Sequence, residues 1–134
     1  MPHRLKVAAL VMLLLALVAC GCASVAPGND PVVVHAERTL GAADVLYAAA
    51  MRYYFTPGVA SNLSPPVARV FEAVRVGYDE PYKDVQTALD TYKSVRTALA
   101  RDALRGKEST LAKVVNPVAA VLPNAPPLVA VEVP

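Results

Sequence analysis

The chain has 134 residues, of which 13 are Lys or Arg and 11 are Asp or Glu, so its formal net charge is +2. This length is enough for one small domain and excludes a multidomain architecture. The weak net charge gives no electrostatic basis for binding a polyanion, so nucleic acid is not expected as a partner.

The first 19 residues have the organisation of a secretory leader. Arg4 and Lys6 precede an uncharged apolar run over residues 7–18, and small residues follow it. The run is shorter than the roughly 20 apolar residues that a spanning helix requires, so a signal peptide is favoured over an uncleaved transmembrane anchor. Removal of residues 1–19 deletes both leader charges and leaves eleven basic against eleven acidic residues.

The leader ends in Leu17-Val18-Ala19-Cys20, which is similar to the lipobox of bacterial lipoproteins. The resemblance implies that the thiol of Cys20 receives a diacylglycerol and that the leader is cut just before this residue. Leu17, Val18 and Ala19 would then be the residues recognised during processing. Two or three acyl chains hold a protein at a bilayer, because each buried methylene contributes about 0.8 kcal/mol.

The residues after Cys20 bear on the location of the anchor. They are Gly21 and Cys22, with no aspartate of the kind that retains lipoproteins at the inner membrane, so the resemblance implies the periplasmic face of the outer membrane. Cys22 is an incidental thiol, a link to a second chain or an alternative lipid site. Residues 20–30 are small, polar and turn-rich and predict a lipidated tether, whose ten residues after Cys20 reach at most about 33 Å.

The sequence predicts an all-α fold, a small bundle of three to four helices over residues 31–122. Asp30 followed by Pro31 is typical of a helix start, and Pro57 with Gly58 is typical of a stop. The predicted helices cover residues 31–56, 65–77, 79–106 and 110–122, with a kink or restart at Pro117 in the last. Residues 123–134 contain four prolines and no helical period, and they predict an extended or disordered tail.

Apolar residues recur along the first predicted helix at alternating spacings of three and four, which indicates a heptad-like seam. Such a seam is first a packing surface, but its many alanines make a thin core that a partner helix could complete. The candidate interaction face consists of Val33, Leu40, Tyr47 and Tyr54. A second seam is predicted at Val85, Ala88, Tyr92, Val95 and Leu99.

The mature chain offers little for catalysis or metal binding. His35 is its only histidine, and a solvated or packed side chain is the favoured interpretation. The serines lie in no nucleophile-elbow sequence. The acidic residues Asp79, Glu80 and Asp84 are explained by the positive end of a helix dipole rather than by a metal. We therefore predict a protein that is not an enzyme and has no cofactor.

Three functions are consistent with these features. The leading one is a lipoprotein with a structural or protein-interaction role, bound to another envelope protein or to itself. Small size, a lipobox, a helical periplasmic part and a proline-rich end also resemble outer-membrane spanin subunits of phage lysis systems and other small prophage-encoded lipoproteins. The third possibility is a lipid-tethered ligand binder or cell-wall hydrolase. Tyr53-Tyr54-Phe55 is a candidate binding surface or membrane contact in any of them.

Overall fold

A computed structural model describes residues 30–130 of the chain, and helices make up 79 % of them, with no β-strand in that range. The prediction of an all-α fold is confirmed. Five helices follow one another, α1 (Pro31–Tyr54), α2 (Val59–Asn62), α3 (Pro65–Gly77), α4 (Asp79–Val95) and α5 (Ala98–Ala119). The predicted signal peptide, the tether up to residue 29 and the last four residues lie outside the described range.

The first helix begins at Pro31, as the sequence predicts, because proline at the first helical position needs no hydrogen-bond partner for its nitrogen. Beyond its end, Gly58 adopts a left-handed backbone with φ of 83°, which glycine tolerates without strain. The amide of Asn62 donates to the carbonyl oxygen of Gly58 at 2.6 Å. This bond spans the short helix α2, which was not predicted from the sequence.

Helices α3 and α4 are separated only by Tyr78, whose backbone is itself helical with φ of −76° and ψ of −46°. The separation has a covalent cause, because Pro81 lacks the N–H that would bond to the carbonyl of Gly77 in a continuous helix. A methyl group on Gly77 would lie 3.6 Å from Cγ1 of Val114, so the end of α3 runs close to α5.

The predicted third helix was wrong in extent, since it does not continue to Gly106. Helix α4 ends at Val95, and Arg96 takes a left-handed conformation with φ of 48°, its N–H donating to the carbonyl of Tyr92 at 2.8 Å. The hydroxyl of Thr97 then accepts from the N–H of Ala100 at 3.2 Å and caps α5. Gly106 lies inside α5, and Pro117 does not begin a new helix because α5 continues past it to its end.

Apolar residues from all four long helices form one core. The seam of α1 packs as predicted at five positions, with Val33, Ala36, Leu40, Ala43 and Ala50 buried. The second predicted seam packs into the core only up to Tyr92. The chain reverses at Arg96, and Val95 and Leu99 are exposed. The fully buried larger side chains are Phe71, Leu46, Leu104, Leu111, Val74, Val85, Val115 and Val118.

The chain after α5 is non-helical, and residues 123–130 are held against the domain. The backbone N–H of Val129 donates to Oδ1 of Asn116 at 2.9 Å, and Nδ2 of Asn116 donates to the carbonyl of Val129 at 3.1 Å. Val129 and Leu122 are both buried. The proline-rich segment thus completes one edge of the core, a contact that the sequence analysis did not predict.

Candidate interaction site

The tyrosines of α1 stack against α3 and the residue that follows it. Tyr47 and Tyr54 lie seven residues apart and so share one face of α1. The rings of Tyr47 and Tyr78 have centroids 4.0 Å apart and planes 6° apart, and the rings of Tyr54 and Phe71 are stacked at 5.4 Å. The earlier tyrosine of α1 contacts the later aromatic residue, and the later tyrosine contacts the earlier one. Helices α1 and α3 are therefore antiparallel.

The inner ring pair carries a buried hydroxyl group. The phenolic hydroxyl of Tyr78 donates to Oδ1 of Asp44 at 3.1 Å. Burial raises the pKa of Tyr78 far above its usual range, and the negative charge of Asp44 raises it further. Tyr78 is therefore a fixed hydrogen-bond donor at physiological pH, and its ring also contacts that of Tyr82 at a centroid distance of 5.2 Å.

The outer ring pair reaches the surface in a group that we call the Tyr54 patch, consisting of Tyr54, Phe55, Glu72 and Arg75. The hydroxyl of Tyr54 donates to Oε1 of Glu72 at 2.8 Å, and Arg75 bonds Oε2 of the same carboxylate through Nε and Nη2, each at 2.8 Å. The Phe55 ring meets the Tyr54 ring edge-on at 5.4 Å and is 65 % exposed.

The hydrogen bonds of the Tyr54 patch fix its charge state. The guanidinium of Arg75 and, next, the hydroxyl of Tyr54 lower the pKa of Glu72 by bonding to its ionised form. The same bond to Glu72 is the main cause that raises the pKa of Tyr54. An exposed aromatic ring therefore stands beside a polar network whose hydrogen bonds favour an ionised Glu72 and a neutral Tyr54.

The structure divides the four residues of the predicted interaction face between core and surface. Val33 and Leu40 are 3 % and 9 % exposed, so they are packed inside the chain and unavailable to a partner. Tyr47 and Tyr54 are half-buried and contact α3 and its neighbouring residue. Cys20, the predicted lipid site, and the recognition residues before it lie outside the described range.

His35 lies beside a buried carboxylate. Its Nε2 is 3.7 Å from Oε1 of Glu108, whose side chain is only 4 % exposed, and the pair links α1 to α5. Asp84, from the acidic run at the start of α4, pairs with Lys107 at 2.6 Å. Within residues 30–130, the His, Cys, Asp and Glu side chains do not gather in any group of three that could hold a metal ion.

An open groove of about 940 Å³ lies between α5 and the proline-rich segment. Its polar residues are Ser109, Lys113 and Asn116, and the Asn116 amide is already bonded to Val129. The walls are otherwise formed by alanine, proline and leucine side chains. The groove therefore has an apolar floor and no convergent set of polar groups that would orient a small ligand.

Comparisons of the chain with protein-family models, curated proteins and solved structures found no match. Across residues 30–130, every helix falls short of the length and hydropathy that crossing a bilayer demands. The assignment of a function therefore depends on the residues themselves.

Tyr53-Tyr54-Phe55 and the seven-residue spacing of Tyr47 and Tyr54 were recognisable in the sequence. Glu72 and Arg75 were not predicted, although their three-residue spacing on one helix is a recognisable signal for an ion pair. Asp44 was also not predicted as the partner of Tyr78, because that contact joins residues 34 apart and depends on how the helices pack.

Proposed function

We propose that the chain is a lipid-anchored lipoprotein of the bacterial outer membrane whose helical domain binds an envelope protein through the Tyr54 patch. The anchor is proposed on the sequence Leu17-Val18-Ala19-Cys20 and its resemblance to a lipobox. Ten residues separate Cys20 from Pro31, where the folded domain starts, and this spacing is consistent with a tethered module.

The observation that carries the binding role is the exposed Phe55 ring at the edge of a fixed hydrogen-bond network. Protein interfaces combine a central aromatic or arginine anchor with a polar rim, and few residues supply most of the affinity. Phe55 and Arg75 are residues of the anchoring type. Stacking on Phe71 and bonding to Glu72 hold Tyr54 in place, so little conformational entropy is lost when a partner binds.

The anchor is tested by intact-mass analysis and membrane fractionation of the wild type beside Cys20→Ser. The wild type is expected to begin at Cys20, to carry the added mass of its acyl groups and to float with outer membranes. The variant is expected to keep its leader. If both chains have the same mass and distribution, Cys20 is not the lipid site and the outer-membrane location is wrong.

The binding role is tested by placing the photoreactive residue p-benzoylphenylalanine at position 55 in cells. Val45, on α1 and 58 % exposed, is the matched control position. We expect one discrete protein adduct from position 55 that is absent from position 45 and is lost in the Cys20→Ser background. Equal adducts at both positions, or none at position 55, would refute a specific partner at the Tyr54 patch.

A further inference from the structure

The turn between α4 and α5 exposes two large apolar side chains that the sequence predicts to be buried. Val95, the last residue of α4, is 55 % exposed, and Leu99, in the first turn of α5, is 81 % exposed. The left-handed residue Arg96 reverses the chain between them. Both side chains are therefore exposed at the turn that joins the two helices, residues 95–99, which we call the α4–α5 tip.

Charges of both signs surround the α4–α5 tip, with the cations nearest to it in the sequence. From Thr91 to Arg101 the sequence holds three cations, Lys93, Arg96 and Arg101, and no carboxylate. Lys93 pairs with Glu37 and Arg101 pairs with Asp102, both at exposed positions where ion pairs are weak and exchange readily. Exposed leucine and valine side chains fit the apolar part of a bilayer surface, and the paired charges beside them fit its polar headgroup layer.

The α4–α5 tip lies at the end of the domain where the chain enters it. Nζ of Lys93 is 2.9 Å from Oε1 of Glu37, so the last turn of α4 lies beside the first two turns of α1. Only the ten residues 21–30 separate Pro31 from Cys20, and ten residues span at most about 33 Å. A lipid on Cys20 would therefore keep this end of the domain within reach of the membrane.

We propose that the α4–α5 tip docks on the lipid bilayer, with Leu99 and Val95 in the headgroup region. This docking rests on the proposed lipid anchor, which supplies a high local concentration of membrane. The tip adds no strong affinity of its own, because two apolar side chains alone bury little area. It instead fixes the orientation of an already tethered domain.

The chain contains no tryptophan, so a single introduced indole reports on one position. Leu99→Trp is compared with Val76→Trp. Val76 is 73 % exposed and precedes the start of α4, a helix about 25 Å long, whereas the tip lies at the end of that helix. The lipidated full-length chains are reconstituted into vesicles of phosphatidylethanolamine and phosphatidylglycerol, with and without brominated acyl chains that quench indole emission. Val95→Trp provides a second reporter at the tip if Leu99→Trp fails to fold, as checked by circular dichroism.

We expect brominated lipid to remove most of the emission from position 99 and to leave position 76 unchanged. Equal quenching at the two positions, or no quenching at position 99 in a chain that floats with the vesicles, would overturn docking while leaving the anchor intact. Indole emission at position 99 that is already blue-shifted without vesicles would assign the tip to a protein contact and also overturn it. A chain that does not float would refute the anchor, and the docking with it.

Discussion

The strongest stability prediction concerns Asn116, because one side chain holds the proline-rich segment to α5. In Asn116→Ala, the N–H and carbonyl of Val129 lose both of their bonds to the amide, at 2.9 and 3.1 Å. Two such bonds contribute about 1–3 kcal/mol, and alanine returns roughly 0.5 kcal/mol through its higher helix propensity. The expected loss of unfolding free energy is therefore about 0.5–2.5 kcal/mol.

The measurement is equilibrium unfolding in urea followed by circular dichroism, together with hydrogen exchange at the Val129 amide. Asn62→Ala is the matched control, because the side chain of Asn62 makes its hydrogen bond at an exposed position. Loss of that bond should change the free energy of unfolding by less than about 0.5 kcal/mol. Faster exchange at Val129 is expected in Asn116→Ala alone. Equal stability of the two variants, with unchanged exchange at Val129, would refute the claim that Asn116 holds the segment.

Three further predictions test the helices and the Tyr54 patch. Gly41→Ala and Gly106→Ala should each raise the free energy of unfolding in urea by about 0.5–1 kcal/mol, because the added methyl group meets nothing within 4 Å. Gly58→Ala should lower it, because Gly58 has a left-handed backbone that alanine adopts only with strain. Phe71→Ala should cost about 3–5 kcal/mol by opening a cavity, and a loss below 1 kcal/mol would contradict its full burial. Because the pKa of Glu72 is lowered from 4.5 in the folded chain, its ionised form stabilises the fold above pH 4.5, and this stability is lost as the pH falls through the folded pKa. In Glu72→Gln, the free energy of unfolding should therefore fall less steeply as the pH is lowered.

Local signals were enough to locate the first three long helices. The start of α1 at Pro31 and the break at Gly77 follow from proline chemistry, which acts within four residues of the chain. The seam of α1 was predictable for the same reason, since a spacing of three and four places residues on one face whatever they pack against.

The end of α4 was not predictable from local preference. Left-handed caps usually carry glycine, so Gly106 was the favoured stop, whereas the structure places Arg96 in that conformation and Gly106 inside a helix. Thr97 was the available signal, because threonine is a preferred N-cap, but many threonines are not caps. The misplaced boundary assigned Leu99 to the core, and correcting it identifies the α4–α5 tip.

Contacts between distant residues account for the other differences. Asn116 and Val129 pair across 13 residues without a periodic pattern, so composition alone indicated only an extended or disordered tail. The two aromatic stacks had a signal in the sequence, because Tyr47 and Tyr54 are seven residues apart and so are Phe71 and Tyr78. Matching two seven-residue spacings would have suggested the stacking, but the antiparallel direction depends on the turn through α2.

The two proposed surfaces lie toward opposite ends of α1, and this separation gives them compatible roles. The α4–α5 tip lies beside the first turns of α1, whereas the Tyr54 patch includes its last residue. Tyr54 lies 17 residues after Glu37, which is about 26 Å along α1, so a domain that rested on the bilayer through the tip would hold the Tyr54 patch at most about that far above the tip. Under the proposed anchoring, a partner bound there would extend from the membrane or belong to another layer of the envelope. The lipid anchor alone would leave that distance unspecified, and docking of the tip would limit it.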